Sequence, residues 1–357
     1  MGTSAKRWGR RLLRLAYGLA ALLTLGGLAA PWVPPRWIPE WQALAVLLPL
    51  TLPAHAAAAL LFRLLGLRRE ALAALLLALL CLWPLSKEYG LPGRSDDPAL
   101  ADLNVLSHNV AAFRLNPRQA EQLARMAKAR RPDLVCLQEF RNLKTPSGER
   151  VLDYLSRELA LPYRAFPSLR ENIHGVALLS RLPILRIDTL FASTEEINSG
   201  FLFTLGQEGD TLGVAVLHLS SFHLPRRLLR NQPWRMADEA TVQHSSDVIH
   251  RQSGQAERCL ALLDAYPHPL LIAGDFNAVP HSWVSAQFAA RYQDSFQAGE
   301  GWGWTLPLTS RWGLRIDYQY ASKHWQPLAH EVIPGGRSDH FPLIAAYARK
   351  KGAGSGD

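Results

Sequence analysis

Cysteine is nearly absent, with three residues in 357, at Cys81, Cys136 and Cys259. Their spacing forms neither a zinc knuckle nor a disulfide framework, so they read as inert buried thiols. The chain also lacks internal repeats and low-complexity tracts, which removes repeat architectures from consideration. A strong net basic charge is missing from the larger, C-terminal part, which weakens the case for nucleic-acid binding that the overall charge would make. The formal net charge is +9, but residues 1–100 hold 11 basic and 5 acidic residues, or +6. The remaining 28 against 25 leave only +3 for residues 101–357. Most of the basic excess therefore flanks apolar sequence, as membrane orientation requires.

What the N-terminal part has in surplus is apolar sequence, in three stretches at Leu12–Ala30, Ala43–Leu65 and Ala71–Leu85. A span needs roughly 17–25 mostly apolar residues, so the first two qualify and the third is short. Trp32, Trp37 and Trp41 cluster between the first two stretches like an interfacial belt. Lys6, Arg7, Arg10, Arg11 and Arg14 precede the first stretch, and Arg63, Arg68 and Arg69 separate the second from the third. The intervening loop holds only Arg36. With three spans, the N-terminus and the second loop are cytoplasmic and everything after Leu85 is outside; with two, the same rule returns the large domain to the cytoplasm. Two other readings compete: a cleaved signal peptide, favoured by the small residues Gly26 to Ala30, and a soluble helical domain. Two further apolar stretches argue against the first, and long runs without a polar face against the second. The expected organisation is a transmembrane region over residues 1–86, a linker at 87–101, a catalytic domain at 102–349 and a disordered tail at 350–357.

From Leu103 the pattern changes to short apolar runs separated by turns and amphipathic helices. Strands are expected at Leu103–Val110, Leu134–Gln138, Val176–Ser180, Leu212–Leu219, Leu270–Ala273, Ile316–Ala321 and Leu343–Tyr347. Helices are expected at Pro117–Arg130 and Arg251–Ala265. Mixed strands and helices over some 250 residues imply an α/β domain, either two packed sheets with outer helices or a doubly wound sheet. The strand-like segments end in or beside polar residues of catalytic type: Asn109, Glu139, His218, Asp275 with Asn277, Asp317, and the pair Asp339-His340. Singly, an Asp or Asn after a strand is usually a turn residue, and a His in an apolar run is usually a satisfied core histidine. Their recurrence points instead to hard oxygen ligands and a proton-transfer imidazole gathered at one rim.

These segments, VLSHNV, PDLVCLQEF, GVALLSRLPI, VAVLHL, LIAGDFNAVP, RIDYQY and GRSDHFPL, resemble in order and spacing the endonuclease/exonuclease/phosphatase superfamily. Its relatives include DNase I, abasic-site endonucleases, inositol polyphosphate phosphatases and neutral sphingomyelinases. The resemblance covers residues 103–348 and implies a four-layer α/β sandwich, DNase I-like, here preceded by an all-α transmembrane region. It further implies that Glu139 is the main ligand of Mg2+, or of Mn2+, assisted by Asn109 and Asp339. Asp275 would orient or deprotonate the attacking water, and Asn277 would hold a non-bridging phosphate oxygen. Asp317 would pair with His340, and His218 falls at the position of a phosphate-contacting or leaving-group histidine. The acidic partner that some relatives give the first histidine is not identifiable near His174–Ser180. Asn172, His174 and Arg181 are candidates to line the site, against an equal claim for turn or surface roles. In the long insert Ser220–Gln255, His223, His244 and His250 read as mainly solvated.

The expected function is a membrane-anchored, metal-dependent hydrolase of a phosphoester or phosphoanhydride. The lipid bilayer is its expected partner and a lipid-linked phosphate its expected substrate, at the outer face of the cell membrane; no obligate protein partner is evident. A short membrane region before such a domain is similar to the architecture of bacterial VanJ-like membrane proteins. The alternatives are a tethered nuclease, with Arg226, Arg227, Arg230 and Arg235 as its cationic stripe, and a catalytically inactive binding module.

Overall fold

A computed structural model describes residues 2–167, 174–192, 197–207, 209–221, 239–310 and 312–350. Asn172, His223, Arg226, Arg227, Arg230, Arg235 and the tail after Lys350 lie outside these described residues. The chain divides into two compact units, Met1–Glu88 with Val279–Ala286, and Tyr89–Ala278 with Gln287–Asp357.

The first unit is helical: α1 Gly2–Ala29, α2 Glu40–Leu64, α3 Arg68–Leu80 and α4 Leu82–Leu85. Two helices are long and apolar enough to cross a membrane, Arg7–Trp32 and Glu40–Leu64. Leu12, Leu15, Leu19, Leu60, Leu64 and Leu72 face outward. A helix that turns leucine away from its own core fits hydrocarbon better than water. Pro49 and Pro53 lie inside α2, which a membrane helix tolerates better than a soluble one. His55 on α2 is gripped by α1, with the Tyr17 hydroxyl 3.0 Å from Nδ1 and the Thr24 hydroxyl 3.0 Å from Nε2. The third expected stretch is interrupted: α3 has 13 residues and stops at Cys81 before the four-residue α4.

The second unit is built on two six-stranded sheets. The first orders its strands β11-β12-β1-β2-β4-β3, with β1 Leu103–Asn109, β2 Leu134–Phe140, β3 Tyr163–Ala165, β4 Gly175–Ser180, β11 Trp325–Val332 and β12 Leu343–Arg349. The second orders them β9-β10-β8-β7-β6-β5, with β5 Ile184–Ala192, β6 Ser199–Gln207, β7 Asp210–His218, β8 Leu270–Asp275, β9 Gln293–Asp294 and β10 Asp317–Ala321. Alternation along each strand decides which layer a side chain joins. On β1, Val105 enters a cluster shared with Val214, Val216 and Leu271 of the other sheet, so the two sheets pack face to face. Its neighbour Leu106 turns the other way, into a cluster with Leu123 of α5 (Arg118–Lys128) and Leu155 of α6 (Val151–Leu159). Helix α7, Glu239–Asp264, lies against β5 at the second sheet. The result is the expected α/β sandwich of helix, sheet, sheet and helix.

Two parallel pairs interrupt the antiparallel pattern, β1 with β2 and β7 with β8. Each needs a crossover, supplied by α5 in one case and α7 in the other. The carboxyl ends of these four strands carry Asn109, the Gln138-Glu139 pair, His218 and Asp275. Open α/β sheets place ligands at such ends. All three cysteines are buried and unpaired, and burial pushes the Cys136 thiol up to about 12, as inert thiols require.

Candidate active site

Strand register sets the first row of the site. His218 pairs with Asp275 across the parallel β7–β8 ladder, and Asp317 pairs with Asp275 across the antiparallel β8–β10 ladder. Three of the expected site side chains thus stand abreast at one end of the second sheet's strands. The approach is close enough that residue 274 must be glycine: a Cβ on Gly274 would meet the Leu217 carbonyl oxygen at 1.9 Å. The loop that follows carries Asn277 in a left-handed conformation, φ 49°. Its backbone N–H donates to Asp275 Oδ1 at 2.9 Å, and its side-chain amide donates to the Leu219 carbonyl at 3.0 Å.

The first sheet contributes the opposite wall. Glu139 sits where the pairing of β2 with β4 slips between Leu137 and Phe140, and its φ is 48°. A bulge of this kind re-aims a side chain and, for a non-glycine residue in that region, costs of order 1–3 kcal/mol. Asn109 bridges the two sheets: its Nδ2 donates to Glu139 Oε1 at 3.1 Å and to Asp275 Oδ2 at 2.9 Å. Its Oδ1 accepts the Ala111 N–H at 3.0 Å.

His340 is the charged centre. Nδ1 lies 2.8 Å from Asp317 Oδ2 and Nε2 lies 3.7 Å from Asp275 Oδ2, so the ring spans two buried carboxylates. Burial alone would lower the imidazole, but Asp317 and Asp275 outweigh it and hold His340 up at about 10. Asp275 is raised in turn, mainly by burial and then by the neighbouring Asp317 charge. His218, fully buried, holds Nε2 3.7 Å from Glu139 Oε1 and 3.8 Å from Asp275 Oδ2. Asp339 is half-buried, and its carboxylate also supports the charge on His340. Ser338 anchors that loop to the first sheet by donating to the Asn109 carbonyl at 2.7 Å.

Glu139, Asp275 and Asp317 gather with no lysine or arginine paired to any of them among the described residues. Oxygens of Asp275 and Asp317 and a nitrogen of His340 fall within 4.8 Å of one another. Carboxylates in excess of nearby cationic side chains fit a hard divalent cation held by few protein oxygens. Glu139, a quarter exposed, is the carboxylate open to such an ion.

Of the other candidates, His174 stays close enough to feel Glu139, and the rest lie elsewhere. Arg181 pairs with Asp133 at 2.7 Å, a surface role. His174 is lowered by burial, partly offset by the Glu139 charge. His244 and His250 are exposed on α7. Three supporting residues carried no sequence signal. Asn198 donates to the Leu219 carbonyl at 2.8 Å and lies 3.4 Å from His218 Nε2. Gln252 Nε2 meets the carbonyls of Ser220, Phe276 and Asn277 at 2.9–3.1 Å. Thr305 Oγ1 accepts the backbone N–H of Asp317 at 3.1 Å, and its carbonyl accepts that of Phe341.

Comparison with known proteins gives the family and the fold. The model of the Endonuclease/Exonuclease/phosphatase family matches residues 106–340. No curated protein matches the sequence. Among solved structures, D. rerio TDP2 complexed with single strand DNA product is similar at 18% identity and a TM-score of 0.52, covering 69% of this chain and 98% of that one. Truncated Caenorhabditis elegans TDP2 is similar at 15% identity and a TM-score of 0.50, covering 69% of this chain and 97% of that one. At these identities the likeness speaks to the fold.

Proposed function

Because the chain belongs to the endonuclease/exonuclease/phosphatase family, and is thereby a hydrolase of phosphoester type, we propose that it is a membrane-anchored, divalent-metal-dependent phosphodiesterase or phosphatase acting on lipid-linked phosphate. The observation that carries the reading is the row His218–Asp275–Asp317 closed by His340, facing Glu139 across Asn109. Mg2+ or Mn2+, held by Glu139 with Asn109 and Asp339, would supply Lewis-acid polarisation of a phosphate oxygen. Asp275, its basicity raised by burial, accepts the proton of the attacking water. The His340 imidazolium, kept charged by Asp317, steadies negative charge as it builds on the phosphoryl oxygens. His218 faces the same space and contacts the phosphate or leaving group. Asn277, fixed by its bonds to Asp275 and Leu219, presents its amide to a non-bridging oxygen.

The lipid substrate rests on the helical unit. Helices α1 and α2 are each of spanning length. Through Cys81 the helical bonds continue, Cys81 N–H to the Leu77 carbonyl at 3.0 Å and Leu85 N–H to the Cys81 carbonyl at 3.4 Å. At ~1.5 Å per residue, α3 and α4 together extend about 27 Å, close to the roughly 30 Å hydrocarbon core. A third crossing of that length would put the catalytic unit outside the cytoplasm, and it is this that favours a lipid phosphate of the outer face. The test is a substrate panel on the purified full chain, with Mg2+ and with chelator: polyprenyl pyrophosphate, phospholipid, sphingomyelin, inositol phosphates and plasmid DNA. Metal-dependent turnover of the lipid phosphates above all others is expected. Preferential cleavage of DNA would replace the lipid reading with a tethered nuclease, and no turnover of any would replace both with a binding module.

A further inference from the structure

The first unit contains a segment far from it in sequence, Val279–Ala286, which begins two residues after Asn277. Within that unit the segment is tied to the N-terminal helices by polar contacts in an otherwise apolar setting. Gln42, in the first turn of α2, is buried and uses both ends of its amide. Its Nε2 donates to the Ala30 carbonyl at 3.1 Å and its Oε1 accepts the Trp283 N–H at 2.8 Å. Trp283 opens helix α8, Trp283–Ala289, so its N–H is one of the donors a helix start leaves unsatisfied. Gln42 therefore caps a helix remote in the chain. His281, also buried, sits 3.1 Å from the Leu28 carbonyl through Nε2 and meets the Trp83 ring edge-on at 4.5 Å. Upstream, the same loop is held where it leaves β8: Gln252 bonds the Phe276 and Asn277 carbonyls, and the Tyr318 hydroxyl donates to the Ala278 carbonyl at 2.7 Å.

We propose that Gln42 is a positioning residue for the phosphate end of the active site: by capping α8 it restrains the loop whose first residues are Asp275, Phe276 and Asn277. The helical unit is then a working part of the enzyme as well as an anchor. This rests on the hydrolase reading above. A polar side chain buried in an apolar helix has to satisfy every hydrogen-bonding group it carries, and Gln42 does so by spending one of them on this loop. Losing that bond frees the segment to move, and misplacement far from the reacting atoms lowers turnover more than binding.

The test is Gln42→Met in the full chain in detergent micelles, which keeps side-chain length and removes both hydrogen-bonding functions. Turnover of bis-(p-nitrophenyl) phosphate with Mg2+ is measured beside hydrogen exchange of the amides of residues 279–286 and of β1. The expected result is kcat lower by about ten- to a hundredfold with KM unchanged, faster exchange in 279–286 and unchanged protection of β1. Wild-type kcat, wild-type exchange in 279–286, a matching rise in KM, or lost β1 protection would each overturn the proposal. An unsubstituted chain that turns over none of the probe would instead sink the hydrolase reading, and this inference with it.

Discussion

Asp275 Oδ2 takes the Asn109 amide at 2.9 Å and lies 3.7 Å from His340 and 3.8 Å from His218, while Oδ1 takes the Asn277 N–H. A carboxylate so surrounded keeps its shape when made an amide, but it loses the capacity to accept a proton. Asp275→Asn is therefore expected to fold and to lose roughly 10²–10⁴ in kcat, measured on the best substrate of the panel. Glu139→Ala should instead abolish the dependence on Mg2+ concentration, because it removes the carboxylate open to solvent; titrating metal against rate separates the two variants. Glu139, His218 and Asp275 were legible as candidates in sequence because each ends an apolar run, a place where a charged side chain needs a reason, whereas Asp317 and the Asp339-His340 pair stand before one. Asn198, Gln252 and Thr305 were not, since an amide or hydroxyl on a helix or loop looks the same whether it binds water or a carbonyl. The roles expected of Asn172 lie outside the described residues.

At the scale of elements, the site is a consequence of two parallel ladders whose carboxyl ends meet. The β7–β8 ladder depends on Gly274, since an added Cβ would overlap the Leu217 carbonyl. Gly274→Ala should destabilise the second unit by about 1–3 kcal/mol and lower turnover further than that loss of folded protein explains. Activity normalised to the folded fraction measured by circular dichroism checks this. Strand β11 carries a second sensitivity, at His330, buried with Ser295 Oγ 2.8 Å from its Nδ1. Burial, aided by Arg315, lowers His330 to about 3, so it stays neutral when folded while the unfolded side chain titrates near 6.5. The unfolded state binds the extra proton, so stability is complete above 6.5 and falls as pH drops toward 3, by about 2 kcal/mol between 6.5 and 5. In His330→Gln, the fall in thermal midpoint from pH 7 to pH 5 should be smaller than in the unsubstituted chain. Strands β1, β2 and β8 were readable because they are buried on both faces and each holds an apolar run, Val105-Leu106, Leu134–Leu137 and Leu270–Ala273. Strand β5 was not, because it is the edge strand of its sheet and only two of its nine residues are buried. The bulge at Glu139 has no sequence signature at all.

For the molecule as a whole, the side of a membrane on which the proposed hydrolysis would occur turns on residues 68–85. Four basic residues, Lys6, Arg7, Arg10 and Arg11, precede the first apolar stretch, and Arg63 at the end of α2 with Arg68 and Arg69 at the start of α3 flank the α2–α3 turn, whereas the α1–α2 loop holds Arg36 alone. On the proposed membrane reading, that asymmetry would put the N-terminus and the α2–α3 turn on the cytoplasmic side and the α1–α2 loop on the other. Composition could not decide the third helix because Arg68, Arg69 and Glu70 lie within its first turn. In the structure α3 ends at Cys81, where one helical bond reaches back to Leu77 and another comes from Leu85, and among the described residues only α1 and α2 are of spanning length. Single cysteines introduced as Arg36→Cys, Arg68→Cys and Ala99→Cys, all at exposed positions, report the outcome through a membrane-impermeant maleimide applied to intact cells. The native cysteines are buried and should stay silent. Three crossings require labelling at 36 and 99 and none at 68. Labelling at 36 alone would mean two crossings, a cytoplasmic catalytic unit, and a lipid-phosphate substrate drawn from the inner leaflet.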